Sequence, residues 1–561
     1  MTSFPVDPVR PGVRRWAPAV VAVLAAVSLT AGCASSTSSG APVPGSATTV
    51  ATNPPGTIDE GKAVDGGKLV IGVPAESGGY NPAMNQWTDS GNLVGSSVLE
   101  PLAAVGEDSL AKPWLAESWT PNETNTVWTL KLRKGVTFHN GEKFDATAVK
   151  LNFEFFLKAP LTSLGLGLLD SVTVVDDLTA KINLKKPWGA FPNSILDGPF
   201  YMMAPEMLLA PDQGQAHPIG TGPFVFDSWQ PDSAFKVVKN PNYWQKGLPH
   251  LDSLEFRMIS DDSSRINALN SGDVNAILTK RAADAVSAEG KGDTVTKDWN
   301  SENVFAMANT SASIDGVDNP MANLHARKAL AYATDRKSVA ETEGEGLGVP
   351  TSPWGPDSPW GMPDKDNGYI DFDLDKAKAE VEAYKKDTGK PSLAFTLTGT
   401  IGVDDGQLMQ MLQSQWAAAG ADVTLLQLEE SPFIANTVTS KYQVAISRNY
   451  AFPDPDTNYA FWSSTTAKGS GKLSINMTQF TNEKLDAALE LGRESTDVGK
   501  RTEAYHEVTR QINGAFTHFW LYRTPYSLIS APAVKGWNTP RSIGFSSYGP
   551  RTWLGELWLS R

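Results

Sequence analysis

Tyr442-Gln443-Val444-Ala445-Ile446-Ser447-Arg448-Asn449-Tyr450-Ala451-Phe452-Pro453-Asp454-Pro455-Asp456 joins two kinds of chemistry in one short stretch. Residues 442–447 form an apolar run that reads as a buried strand, and residues 448–456 gather a cation, an amide, two aromatics, two prolines and two carboxylates. Just upstream, residues 393–397 read as a strand. Leu408, Met411, Leu412 and Trp416 then line one helix face, Gly420 supplies a stop, and residues 423–428 form the next strand. A helix-length connection between two strands implies a parallel pair and a right-handed crossover. The 442–447 strand would join this sheet and deliver the polar loop to its carboxyl edge, where open α/β sheets bind ligands. Pro-Asp-Pro-Asp is equally good chemistry for an ordinary surface turn.

The amino-terminal half adds strands and caps. Residues 68–73 (KLVIGV) read as a strand followed by a Gly-rich turn at Gly78-Gly79-Tyr80. Trp128, Leu130 and Leu132 alternate with polar residues at the period of a half-buried strand. Asp145 can cap a helix on which Val149, Phe153 and Phe156 share a face. Residues 172–175 and 179–184 read as a hairpin, residues 500–516 have helical spacing, and residues 519–529 are strand-like.

At 561 residues the chain exceeds a single core and should divide into two or three domains. Its 41% hydrophobic and 20% charged residues are those of a globular protein. A formal net charge of −14 argues against nucleic acid or an anionic membrane surface as the main partner. Arg10, Arg14 and Arg15 precede an uncharged run over residues 16–32 that ends at Cys33, the only cysteine. That run is too short for a membrane span and fits an export signal. Leu29-Thr30-Ala31-Gly32-Cys33 resembles the bacterial lipobox, with Thr30 where an aliphatic residue is usual, so lipidation at Cys33 and a lipid-anchored place on the outer face of the cell membrane are expected. Residues 34–62 are Ser, Thr, Ala, Gly and Pro with hardly an apolar side chain, a tether with a reach of roughly 30 Å.

The run AESWTPNETNTVWTLKLRKGVTFHNGEKFDATAVKLNFE, residues 116–154, resembles the signature of the family 5 extracellular solute-binding proteins, the peptide, dipeptide and nickel receptors of ABC importers. Gly220-Thr221-Gly222-Pro223-Phe224 with Trp229 and Asn240-Pro241-Asn242-Tyr243-Trp244 continue the similarity. Arg327-Lys328-Ala329-Leu330-Ala331-Tyr332-Ala333 and Asp454-Pro455-Asp456 follow in the family's order, so the resemblance spans roughly residues 66–555. It implies an α/β, two-lobed periplasmic-binding-protein-like fold of type II, with an extra subdomain and a hinge. Residues 1–32 are then a lipoprotein signal peptide and 33–65 the tether. Residues 66–95, 215–303 and 525–561 form lobe I, with an inserted subdomain at 96–214, and residues 304–524 form lobe II. The implied partners are a small-molecule or peptide ligand and ABC permease subunits, with the chain a monomer.

In dipeptide-binding members an aspartate three residues before Asp-Pro-Asp pairs with the ligand's amino terminus; here that place holds Ala451. Either Asp454 supplies the charge, or no free peptide amine is bound. Arg448 and Asn449 offer a guanidinium for a carboxylate or phosphate and an amide for backbone-like groups. Tyr450 and Phe452 can wall a cleft or pack in a core. The resemblance places Trp354 and Trp360 near the cleft, in the loop PTSPWGPDSPWGMPD, and Tyr80 and Trp87 follow the first strand. No G-x-S-x-G elbow, complete P-loop or H-E-x-x-H occurs, and the six histidines lack paired ligand spacing, so neither an enzyme, a metal site nor a cofactor is indicated. His518 lies near the expected return to lobe I. A receptor-derived regulatory lipoprotein binding a non-peptide ligand such as a glycolipid intermediate is the competing reading.

Overall fold

The computed structural model describes residues 61–560 except 86, 107, 160–161, 164, 196–199, 299–301, 344–352, 355–357, 364, 402, 451–453, 524–525 and 538–552. Cys33, the leader, most of the tether, Ala451 and Phe452 therefore lie outside the described residues.

Two sheets organise the chain. The first has seven strands in the order Thr294–Asp298, Tyr526–Ser530, Ala276–Thr279, Lys68–Val73, Ser253–Met258, Ala234–Lys239, Phe224–Gln230. Lys68–Val73 runs parallel to both of its neighbours. The second has five strands in the order Ala421–Leu428, Leu393–Thr400, Val444–Tyr450, Glu302–Ala308, His518–Arg523. Its first three strands are parallel, and the helix Val403–Ala418 makes the crossover. Leu408, Leu412 and Trp416 of that helix are buried, and Gly420 follows it in the left-handed region at φ +96°.

Period-two alternation assigns each face of the five-stranded sheet its own core. Val304, Ala306 and Ala308 face a cluster with Leu393, Leu397, Ile446 and Leu521. Phe305 and Met307 face the opposite cluster, with Trp354, Trp360, Tyr505 and Trp520. The chain passes between the sheets twice, between Asp298 and Glu302 and between Arg523 and Tyr526. The strand-like run 519–529 is thus two strands, one in each sheet.

In sequence between the strands Lys68–Val73 and Phe224–Gln230 comes a four-stranded antiparallel sheet, in the order Ala116–Pro121, Val127–Leu132, Thr179–Leu184, Leu169–Asp176. Asp145 caps the helix Ala146–Phe156 by accepting from Thr147 N and Ala148 N, each at 2.9 Å. Val149, Phe153 and Phe156 bury that helix's inner face. Glu100 is fully buried and accepts four hydrogen bonds. Its Oε1 takes Trp114 Nε1 at 2.8 Å and Tyr243 Oη at 2.6 Å, and its Oε2 takes Thr221 Oγ1 at 2.7 Å and Trp244 Nε1 at 3.0 Å. Burial raises its pKa, and the four donors only partly offset this.

Candidate functional site at the edge of the five-stranded sheet

The strand Val444–Tyr450 extends three residues past the apolar run read from sequence, so Arg448, Asn449 and Tyr450 are strand rather than loop. Antiparallel pairing draws Glu302–Ala308 alongside, with Asn449 opposite Asn303 and Arg448 opposite Val304. On the far side Arg523 pairs with Asn303 and Tyr522 with Val304. Asn449, Asn303 and Arg523 thus form one row across three strands, at the edge where the chain leaves for the other sheet.

Arg448 lies on the opposite face and is held in an ion pair. Its Nη2 donates to Asp405 Oδ1 at 2.6 Å, at the start of the crossover helix. Asp405 is buried, which favours its neutral form; Arg448 and two hydrogen bonds from Thr400 outweigh burial and hold the carboxyl below its ordinary value. Asn303 is buried and donates from Nδ2 to Pro353 O at 3.1 Å, while its Oδ1 has no partner among the described residues. The structure therefore adds Asn303 and Arg523 to the candidates. The sequence signal for Arg523 is a lone cation closing the apolar run HFWLYR; Asn303 shows only through strand register.

The tryptophans expected to line a cleft are packed. Trp354 contacts Trp462 at 5.3 Å and Tyr505 at 5.5 Å, and its Nε1 is buried without a partner among the described residues. Trp360 is fully buried against Tyr505, so it is a core residue. Tyr80 is likewise buried, against Trp229 and Phe235. Trp87 donates to Gly79 O at 2.9 Å and lies over Gly91 and Gly95, where a Cβ at Gly95 would stand 2.3 Å from its ring.

Asp454 belongs to a buried charge network. Both its oxygens accept from Arg501 Nη2, at 2.6 and 2.8 Å, and Oδ1 also takes Asp456 N at 2.9 Å, capping the turn Pro455–Asn458. Arg501 donates its Nε to Gly492 O and lies 4.8 Å from the Trp360 ring centre. Asp456 accepts Arg493 Nε at 2.6 Å, Trp188 Nε1 at 2.6 Å and Ser194 Oγ at 3.1 Å. Asp454 is fully buried and its charge is already met, which removes it as the counter-charge for a solute amine.

His518 sits at the other end of its strand from Arg523, stacked on Trp520 with ring centres 4.9 Å apart, and burial lowers its pKa to about 3. His139 is half-buried between Gly220 N and Gly222 O, and desolvation there lowers its pKa to about 4. No group of three potential metal ligands occurs among the described residues, and none of their helices is long and apolar enough to cross a membrane.

The profile of the bacterial extracellular solute-binding proteins, family 5, matches residues 111–470. The chain belongs to that family. Family 5 proteins are extracytoplasmic solute receptors of ABC importers and not enzymes. Among its relatives is the glutathione-binding protein GsiB of Salmonella paratyphi A, 26% identical over 435 residues, covering 74% of this chain and 81% of that one. Two solved family 5 structures superpose over nearly the whole body. The oligopeptide-binding protein AppA from Bacillus subtilis, in complex with a nonapeptide, gives a TM-score of 0.71 at 21% identity, covering 89% of this chain and 100% of that one. NikA from Brucella suis, in complex with Fe(III)-EDTA, gives 0.73 at 22% identity, covering 88% and 100%. The two-lobed fold of family 5 is accordingly that of this chain.

Proposed function

We propose that this family 5 protein captures a short peptide between lobe I (66–95, 215–303, 525–561, with its subdomain 96–214) and lobe II (304–524), and passes it intact to an ABC import permease. The row Asn449–Asn303–Arg523 carries this reading, because it sits where both crossings between the sheets occur. Amides suit a peptide backbone and a buried guanidinium suits a carboxylate. Capture works by population shift: contacts made to both lobes favour the closed form. Because Asp454 is paired with Arg501 and Ala451 replaces the family's aspartate, the solute is held by its carboxylate and backbone rather than by a free amine. The GsiB relative, named for a tripeptide, and the nonapeptide complex of AppA support peptide-like cargo. Cys33 is read as the lipid anchor that keeps the receptor at the cell membrane.

Native mass spectrometry of the freshly purified protein tests this directly. A co-purified peptide that is lost in Arg523→Gln is the expected result. Absence of any bound solute, with no thermal shift across peptide, opine, glycan and metal-chelate libraries, would refute it. Mass measurement of the membrane fraction checks acylation at Cys33.

A further inference from the structure

A pocket lies far along the chain from the candidate cleft residues, and its lining does not include them. It is a cavity of about 470 Å³ lined by Glu117, Arg133, Lys134, Gly135, Trp244, Gln245, Lys246 and Leu248. Three cations face it against one carboxylate, on a protein whose net charge is −14.

Arg133 is held in place for recognition. Its Nε donates to Trp114 O at 2.8 Å, and its guanidinium lies over the Trp244 ring, 4.5 Å from the centre. The indole is itself anchored, because its Nε1 donates to the buried Glu100. Among the described residues nothing accepts from Arg133 Nη1 or Nη2. A planar fork fixed along one edge and stacked on one face leaves its other edge for a bidentate oxyanion. Lys134 and Lys246 are exposed and form no ion pair among the described residues. Gly135, at φ +80°, has open space where a Cβ would be, so the floor beside Lys134 is clear.

We infer that this pocket binds the phosphate monoester group of a small phosphorylated organic molecule. Three cations opposed by one carboxylate leave a surplus of two positive charges, which matches a dianionic monoester better than a monoanionic carboxylate or diester. The volume exceeds that of a bare phosphate and falls in the range of small-ligand pockets, about 300–1,000 Å³. The Gln245 amide can accept from or donate to hydroxyls on the organic part, and the Glu117 carboxylate can accept from them. None of the proposed solute-binding residues lines this pocket, so this inference stands whether or not the cargo is a peptide.

Isothermal titration of the purified protein with glucose 1-phosphate, inorganic phosphate, glucose and the diester glycerophosphoglycerol tests the assignment. Glucose 1-phosphate should bind with one-to-one stoichiometry, more weakly as salt rises, and more tightly than the diester; glucose should not bind. The double variant Lys134→Gln/Lys246→Gln removes only exposed charges and should weaken binding about tenfold or more. Its thermal unfolding should be unchanged. A crystal soaked with glucose 1-phosphate should show the phosphate on Arg133 Nη1 and Nη2. Absence of binding, a preference for the diester, or affinity unchanged in the double variant would overturn the inference.

Discussion

Asp454→Asn separates a structural carboxylate from a ligand-binding one. In the folded protein Asp454 is fully buried and Arg501 nearly so, and both carboxylate oxygens meet the same guanidinium nitrogen. Asparagine keeps the shape and one acceptor oxygen but removes the counter-charge, so the buried Arg501 guanidinium is left with neutral hydrogen-bond partners: the amide oxygen, Gly492 O and the Tyr505 hydroxyl. Breaking one partner of a buried pair costs about 3–5 kcal/mol, because the surviving charge stays buried. Removing both charges, as in Asp454→Asn/Arg501→Met, should recover much of that loss, since a buried pair exchanged for uncharged groups is often close to neutral. Urea unfolding of the two single variants and the double variant measures the coupling. If Asp454→Asn left the unfolding midpoint unchanged while abolishing solute capture, Asp454 would be a ligand group and the structural reasoning would be wrong.

Three further outcomes are expected. Glu100→Gln, though isosteric, should destabilise the protein by about 1–3 kcal/mol. Each oxygen of Glu100 accepts from one indole, so either amide orientation sets an N–H against an indole N–H; a variant as stable as the parent in urea would contradict this. His518→Phe should flatten the pH dependence of stability. The unfolded histidine gains a proton near 6.5 and the buried one only near 3, so the unfolded state binds more protons between these values. Stability is then fully present above 6.5 and lost as pH falls, with a slope of up to about 1.4 kcal/mol per pH unit that the variant should lack. Gly189→Ala would place a Cβ 2.3 Å from the backbone carbon of Ser495, and should cost about 1–3 kcal/mol. It should also speed hydrogen exchange at Ala190, whose N–H donates to Arg493 O.

Local pattern made most elements legible. The 393–428 strand–helix–strand unit, the Asp145 cap and the 172–184 hairpin all declare themselves within one or two turns of chain, and each stands in the structure. The fate of Asp454 does not, because Arg501 lies 47 residues away and the Trp188 that meets Asp456 lies 268 away. The tryptophan loop misleads for a similar reason. Rich in Pro and Gly, it looks poorly buried in isolation, yet the helix Val498–Ala515 supplies Tyr505 as a packing partner for both Trp354 and Trp360. Arg448, which the sequence leaves open between ligand contact and a solvated turn, is paired with Asp405, 43 residues away.

The strand Tyr526–Ser530 has a consequence for how this molecule comes into being. Among the described residues it is the sole neighbour of Thr294–Asp298 within its sheet, and it also zips onto Ala276–Thr279. The strand just before it completes the other sheet along Glu302–Ala308. A nascent chain therefore cannot finish either sheet until its final segment has been made. Both sheets therefore stay incomplete until residues 518–530 are available to pair, whatever has formed locally before them.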